Sequence, residues 1–357
     1  MTKVFVGMSG GVDSSVTAAL LVDQGYDVTG IYMKNWTKDL PGMKCPWADD
    51  LMDAKRVAVQ LGIPFKVYDF QTEYKQRVVD YMIAEYQAGR TPNPDIMCNQ
   101  EVKFKLFLET ALADGAEMIA TGHYARCQRE EGRGMGEEGC VLQRPKDEAK
   151  DQTYFLYRMT SEALSKTLFP LGELEKTEVR VIAERRGLAT ARKKDSQGIC
   201  FVGSVGIKEF LGQYVETEPG EIIDKETGAV VGHHEGAIYY TIGQRHGLNV
   251  GGGLPYYVVD KDMAKNTVIV SRNLNDLALW RSRVTLGALH WVNGRPPRGK
   301  ESVTVRMRHQ GRLLPATFGQ GILHLDEPER AVAPGQSVVI YRDDTVLGGG
   351  IVSGEIS

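Results

Sequence analysis

Along residues 1–125, short apolar runs alternate with amphipathic stretches. The runs at 4–8, 28–33, 65–68 and 116–120 predict buried strands. Residues 14–21, 49–61, 72–87 and 102–113 predict helices. In 49–61, Leu51, Ala54, Val57 and Ala58 fall on one face, and Gly62 then Pro64 end the helix. Alternation of this kind predicts a parallel sheet covered on both faces. Ligands in such sheets sit beyond the carboxyl ends of the strands, so the loops after Met8, Met33 and Ala120 should share one site.

The pattern then changes. Residues 128–140 are acidic and Gly-rich and read as an exposed excursion, and 141–144 return as a strand. Residues 160–190 read as helical, 177–186 included, and close at Gly187. From about 205 onward short apolar runs are separated by turn signals such as Pro219-Gly220, Asn293-Gly294 and Pro334-Gly335, which predicts antiparallel β-structure. A break falls at 276–280. The expected organisation is an α/β domain over 1–204, a small, mostly β central domain over 205–279 and a carboxyl-terminal β-barrel over 280–357.

Composition narrows the class. The chain has 357 residues, 42% hydrophobic and 25% charged, as in soluble globular proteins. No apolar run is long enough to span a membrane. The amino terminus runs straight into a strand without a signal-peptide pattern, and five cysteines do not read as a secreted disulfide framework. A cytoplasmic protein is expected. The net charge is −3, so any nucleic-acid binding must come from local basic patches.

The loop after the first strand carries the strongest chemical signal. Gly7 and Met8 lead into Ser9-Gly10-Gly11-Val12-Asp13-Ser14-Ser15, and a helix follows. Strand, glycine loop and helix present backbone N–H groups and a positive helix end to phosphate. The serines add hydroxyl donors, and Asp13 could hold a divalent cation against the phosphates. Neither the Walker A pattern nor G-x-G-x-x-G is present. The string resembles the pyrophosphate loop of the N-type ATP pyrophosphatases. The resemblance implies ATP cleavage between the α and β phosphates and an adenylated substrate.

Two cysteine segments follow. In Asn93-Pro94-Asp95-Ile96-Met97-Cys98, Asp95 and Cys98 would share a face at a helix start. Cys98 then reads as a nucleophile beside a proton acceptor, or as a buried structural thiol. In 191–201, Arg192-Lys193-Lys194 precede Asp195, Gly198 and Cys200. Cations favour thiolate and attract phosphate; the alternative is a solvated turn before a core cysteine. Lys150-Asp151-Gln152, followed by Tyr154 and Phe155, could meet an RNA backbone or simply pack.

Taken jointly and in order, Ser9 to Ser15, Met33-Lys34-Asn35-Trp36, Asn93-Pro94-Asp95 with Cys98, Thr121-Gly122-His123-Tyr124, Lys150-Asp151-Gln152 and Asp195-Ser196-Gln197-Gly198-Ile199-Cys200-Phe201 resemble the tRNA-specific 2-thiouridylases, the MnmA/TrmU family. Further matches are Tyr240-Thr241-Ile242-Gly243-Gln244-Arg245, Arg308-His309, Pro334-Gly335-Gln336 and Leu347-Gly348-Gly349-Gly350, so the likeness runs nearly the whole length. It implies an α/β, parallel-sheet ATP pyrophosphatase domain (adenine nucleotide alpha hydrolase-like), a small central domain and a β-barrel. It implies a tRNA-uridine 2-sulfurtransferase that thiolates the wobble uridine at C2, using ATP and Mg²⁺.

Residue by residue, the resemblance implies that Gly7, Met8, Ser9, Gly10, Gly11, Val12, Asp13, Ser14, Met33 and Gly122 bind ATP. Cys200 would carry a persulfide sulfur from a donor protein. Cys98 would release that sulfur and end in a disulfide with Cys200, and Asp95 would be the acid/base. Asn93 and Pro94 would face the target uracil. His123, Lys150, Asp151, Gln152, Arg308, His309 and Gln336 would contact tRNA, with glutamate, glutamine and lysine acceptors as the substrates. Two departures stand out: the 128–140 insertion with Cys140, and His309 where the family usually has an aromatic residue.

The chemistry is coherent. Oxide is a poor leaving group, and adenylating the C2 oxygen makes it a phosphate ester that leaves as AMP. No C-x-x-C and no metal-ligand histidine spacing is present, so no zinc site or cysteine-ligated cluster is expected; Cys45 and Cys127 read as structural. The alternative enzyme is a ligase that adenylates a small molecule and needs neither Cys98 nor Cys200. A nucleotide-sensing RNA-binding protein would bind ATP without releasing pyrophosphate.

Overall fold

The computed structural model describes residues 1–39, 45–129, 140–195, 206–248, 250–251 and 253–354. Strands β1 (Lys3–Gly7), β2 (Asp27–Lys34), β3 (Phe65–Asp69), β4 (Met118–Ala120) and β7 (Thr167–Leu168) form a parallel sheet in the order β3-β2-β1-β4-β7. Val4, Phe5 and Val6 are fully buried. Strands covered on both faces read as continuous apolar runs, which is why β1 is legible in the sequence.

The two faces have different cores. Val4, Val6 and Met8 pack with Val16, Ala54, Val57, Val179 and Ala183, from the helices Val12–Asp23, Trp47–Leu61 and Lys176–Arg185. Phe5, Ile31 and Ile119 pack with Val78, Met82, Val102 and Phe107 on the other side. The chain runs outward from β1 to β3 and then returns to β4 on the opposite side of β1. That reversal opens a crevice at the carboxyl ends of β1 and β4, the place where such sheets bind ligands.

Three sequence expectations are corrected here. The predicted helix 102–113 is the end of a helical segment that begins at Pro94 and includes a π-helical stretch, Cys98–Leu106. The helix begins at Pro94 with Asn93 as its cap, since proline is welcome at the first helical position, where no N–H is needed. The 160–190 stretch is broken: Ser161–Ser165 and Lys176–Arg185 are helical, with β7 between them. The excursion 128–140 is flanked by a hairpin, β5 (Arg126–Arg129) and β6 (Cys140–Gln143). Cys127 and Cys140 are joined there by a disulfide that no sequence signal announced, while residues 130–139 lie outside the described residues.

The central sheet holds β8 (Gly220–Asp224), β9 (Val230–His234), β10 (Tyr257–Asp262) and β11 (Thr267–Ser271) in the order β10-β11-β8-β9. It is not wholly antiparallel as expected, because β11 pairs parallel to β8. Parallel neighbours need a long crossover, and the chain between β9 and β10 supplies it. The final barrel comprises β12 (Trp280–Trp291), β13 (Glu301–Arg306), β14 (Leu314–Gly319), β15 (Ile322–Arg330), β16 (Ser337–Arg342) and β17 (Thr345–Val352). Pairing of β12 with both β15 and β17 closes it. Val284, Val305, Leu323, Val338 and Ile340 fill the interior. The β5–β6 hairpin extends the barrel sheet through Gln143, opposite Thr345.

Barrel and first domain are joined by buried polar contacts. Arg306 Nη1 donates to Asp151 Oδ2 at 2.7 Å, and Arg144 Nε donates to the same oxygen at 3.0 Å. Tyr154 donates its hydroxyl to the Ser337 carbonyl at 2.9 Å. Among the described residues, no helix is long and apolar enough to cross a membrane.

Candidate functional site

The site begins where β1 ends. Gly11 caps the helix Val12–Asp23 in an extended conformation, and no side chain caps the helix. Its first-turn N–H groups are thus left to a ligand, beside the positive end of the helix dipole. Ser14 and Ser15 donate back to the Gly11 carbonyl at 3.1 and 2.8 Å, and Ser9 N donates to Ser14 Oγ at 3.2 Å. These bonds hold the loop in a tight arc. Gly10 has φ +76°, and a Cβ there would stand 2.3 Å from the Asp50 carbonyl oxygen. Gly122, just past β4, approaches so closely that a Cβ would lie 2.8 Å from Ser14 N. Met33, at the end of β2, reaches over β1, with its Cε 3.1 Å from where a Cβ on Gly7 would be. The loops after β1, β2 and β4 therefore meet.

Asp13 is the charged centre of this loop. Lys176 Nζ contacts its two oxygens at 2.7 and 2.8 Å, and the Tyr124 hydroxyl donates to Oδ1 at 2.9 Å. Burial and the Asp13 charge push the Tyr124 phenol far above its ordinary value, so it stays a donor. Lys176 also reaches Asp195 at 2.9 Å, and Asp195 takes Lys150 at 2.9 Å and Arg180 at 2.5 Å. Burial works to raise the Asp195 pKa, but hydrogen bonds from Lys176 and Lys150 outweigh it and hold the carboxyl at about 2. Lys193 pairs with Asp50 and Asp53, each at 2.7 Å. Lys176, Arg180 and the Tyr124 hydroxyl were missed in the sequence. No motif marks Lys176 or Arg180, and the Thr121–Tyr124 motif gives the tyrosine no role, because the three gather from separate elements around the loop.

A second group lies on the helix that begins at Pro94. Asn93 Oδ1 accepts from Ile96 N at 3.2 Å and caps the helix that carries Asp95 and Cys98. Pro94 and Cys98 are buried and Asp95 is half-buried. Thr91, two residues before Asn93, is where all three parts of the chain meet. Its N–H donates to the Pro334 carbonyl at 2.9 Å, and its hydroxyl pairs with Thr241 at 3.0 Å. Cys200 lies outside the described residues, so its expected disulfide with Cys98 does too.

Gln152 and His123 connect the two groups. Gln152 Oε1 accepts from Tyr124 N at 2.9 Å. His123 is buried, bonds Thr121 Oγ1 through Nδ1 at 2.9 Å, and packs its ring 5.6 Å from Phe104 on the Cys98 helix. Burial, with a smaller contribution from Lys103, holds its pKa well below 6.5, so it is neutral. His123 and Asp151 were expected at an RNA surface, and the structure places both inside. Lys150 and Gln152 stay partly accessible, as does Gln336, while Arg308 is exposed. His309 packs 4.3 Å from Phe155, and burial lowers its pKa although Asp151 and Asp95 oppose the shift.

The donor set suits a nucleotide triphosphate: an uncapped helix end, two serines and a cluster of cations. Among the described residues no group of three His, Cys, Asp or Glu converges on a metal. Mg²⁺ commonly takes one or two carboxylates with water and phosphate oxygens, and Asp13 can be that carboxylate.

Comparison with known proteins agrees with this arrangement. Residues 2–204 match the model of the tRNA methyl transferase HUP domain, 208–272 the tRNA methyl transferase PRC-barrel domain and 281–352 the aminomethyltransferase beta-barrel domain. The tRNA-specific 2-thiouridylase MnmA of Idiomarina loihiensis is 48% identical over 366 residues, covering 99% of this chain and 97% of that one. The protein of the same name from Bacillus subtilis is 47% identical over 358 residues, covering 98% and 95%. A solved 4-thiouridine synthetase–RNA complex with bound ATP is 16% identical, with a TM-score of 0.35 over 59% of this chain and 50% of that one, too distant to carry an argument. The full-length identity and the three successive domain matches show that the chain belongs to the family of tRNA-specific 2-thiouridylases.

Proposed function

We propose that this protein is an ATP-dependent tRNA-uridine 2-sulfurtransferase that converts the wobble uridine to 2-thiouridine. The observation that carries the reading is the junction at Tyr124. Its hydroxyl holds Asp13 of the phosphate loop, and its backbone N–H holds Gln152, which leads into the turn Thr153–Phe155 that packs on the helix Pro94–Met97. A phosphate-handling site and a thiol-bearing site thus share one wall.

In the first step, the uracil C2 oxygen attacks the α-phosphorus of ATP and pyrophosphate leaves. The loop N–H groups and nearby cations stabilise the departing charge. Mg²⁺ held by Asp13 would supply further charge neutralisation there. In the second step, the terminal sulfur of a Cys200 persulfide attacks C2 and AMP leaves. The Cys98 thiolate then attacks the Cys200 sulfur. A Cys98–Cys200 disulfide forms, the electron pair passes to the sulfur on C2, and an external thiol resets the enzyme. Asp95 is positioned on the Cys98 helix to take or give the proton. The uridine reaches this site by flipping out of an already single-stranded loop.

Asn93 and Pro94 flank the base in this reading. Lys150, Gln152, Arg308, His309 and Gln336 are the candidates to touch RNA, whereas His123 and Asp151 position them from within. The expected substrates are the glutamate, glutamine and lysine tRNAs, with sulfur from a persulfide-carrying donor protein in the cytoplasm.

The test is nucleoside mass spectrometry of unmodified glutamate tRNA incubated with protein, ATP, Mg²⁺ and a persulfide donor. An oxygen-to-sulfur gain on the wobble uridine, lost in Cys200→Ser, is the expected result. Pyrophosphate release with a small amine or acid, and none with tRNA, would replace this reading with the ligase.

A further inference from the structure

Lys176 stands at an unusual place. It is the first residue of the helix Lys176–Arg185, where the helix dipole disfavours a cation. Its side chain is only 14% exposed. It is kept there by two carboxylates, Asp13 and Asp195, and by the face of Tyr124, 5.8 Å from its Nζ. Asp195 in turn receives Lys150 and Arg180. Three cations therefore converge on one carboxylate, beside a phosphate loop that contributes one more. Asp147 also stands here, accepting from Lys176 N at 2.9 Å, but the three side-chain cations meet at Asp195, so this carboxylate sits where an anion of several oxygens would be welcome.

The three cations are not equally movable. Arg180 is pinned by the Ala191 and Lys193 carbonyls at 2.9 and 2.6 Å. Lys176 has no such tether. Its ammonium meets the Asp13 and Asp195 carboxylates and the Tyr124 ring, and it is a point charge on a flexible stem.

We propose that Asp195 is a built-in stand-in for the polyphosphate of ATP, and that Lys176 passes from Asp13 and Asp195 to the nucleotide's phosphate oxygens on binding. The proposal deepens the reading of the chain as an ATP-using enzyme and rests on it. Lys176 becomes a phosphate-binding residue. Asp195 becomes a competitor that holds the cations in place while the site waits.

A competitor has a signature that a merely structural carboxylate lacks: neutralising it tightens the ligand. The experiment titrates α,β-methylene ATP with magnesium chloride into the full-length protein by isothermal calorimetry. Lys176→Met and Lys176→Gln should weaken binding by roughly tenfold or more, the loss of one charge-assisted hydrogen bond. Lys176→Arg should restore most of it. Asp195→Asn should tighten binding by at least about threefold, as removal of a like charge near the incoming anion requires. Equal affinities for wild type and folded Lys176→Gln, or weaker binding by folded Asp195→Asn, overturn the proposal while leaving ATP use intact. No binding by the wild-type protein overturns both. Thermal midpoints of each variant identify those that are folded.

Discussion

Asp151 of the first domain and Arg306 of the barrel are 2.7 Å apart and almost wholly buried, although 155 residues separate them. Arg144 and the hydroxyl of Thr153 share the same carboxylate. Removing one partner from such a group leaves the others charged and unpaired in a dry place. Asp151→Asn is expected to cost about 3–5 kcal/mol. Chemical denaturation, followed by tryptophan fluorescence, measures it. A cost below about 1 kcal/mol, the value of a surface pair, would show that this contact does not hold the barrel in place.

Tyr124→Phe removes a single hydroxyl from Asp13 and keeps the ring against Lys176. A hydrogen bond to a charged group contributes about 1.5–3 kcal/mol, so the KM for ATP should rise roughly tenfold or more. The thermal midpoint should fall by only a few degrees. A large fall in the midpoint with an unchanged KM would assign the hydroxyl to folding instead.

Cys98→Ser separates the two chemical steps. Pyrophosphate release that depends on tRNA should persist. Thiolation with a persulfide donor should fall by at least two orders of magnitude, on the scale seen when a covalent nucleophile is lost. If pyrophosphate release vanishes along with thiolation, Cys98 acts before sulfur transfer and the order of steps proposed above is wrong.

His123 is held neutral, with a folded pKa well below its ordinary 6.5. The unfolded chain binds a proton there first as pH drops. The stabilising contribution is therefore complete above about pH 6.5 and is lost as pH falls from there toward the folded value, by at most about 1.4 kcal/mol per pH unit. His234, His290 and His309 are shifted in the same direction and steepen the same window. His123→Phe should flatten the fall in denaturation midpoint between about pH 7.5 and about pH 5.5. An unchanged slope would mean that this ring takes up its proton in the folded state. Asp195, with its pKa at about 2, acts in a separate and more acid window, below its ordinary 3.8.

The first sheet was legible because β1 is buried on both faces and prints as an unbroken apolar run. The phosphate loop was legible because Gly10 must take a positive φ and cannot carry a Cβ. Asp95 and Cys98 were legible as neighbours on a helix start. The cation cluster was not. Lys176 is in sequence one of the chain's many lysines, at the start of an amphipathic helix, and only the fold brings it to Asp13, 163 positions earlier. His123 misled for a related reason. A polar tetrapeptide at a strand end looks like an accessible loop, yet Phe104 and Phe169 close over its ring. The parallel pairing of β8 with β11 was likewise invisible, because turn signals show where strands stop and not which strands pair.

The contact that ties Asp151 to Arg306 also has a history within each molecule. Ribosomes deliver roughly 5–20 residues per second, so Arg306 follows Asp151 by roughly 8–30 s. Until then the carboxylate has only its partners from the first domain, Arg144 and Thr153. The β5–β6 hairpin meanwhile waits with one edge unpaired until β17 arrives. A newborn chain is therefore an open sheet with half a salt bridge, and only the last strand made completes the domain that was made first.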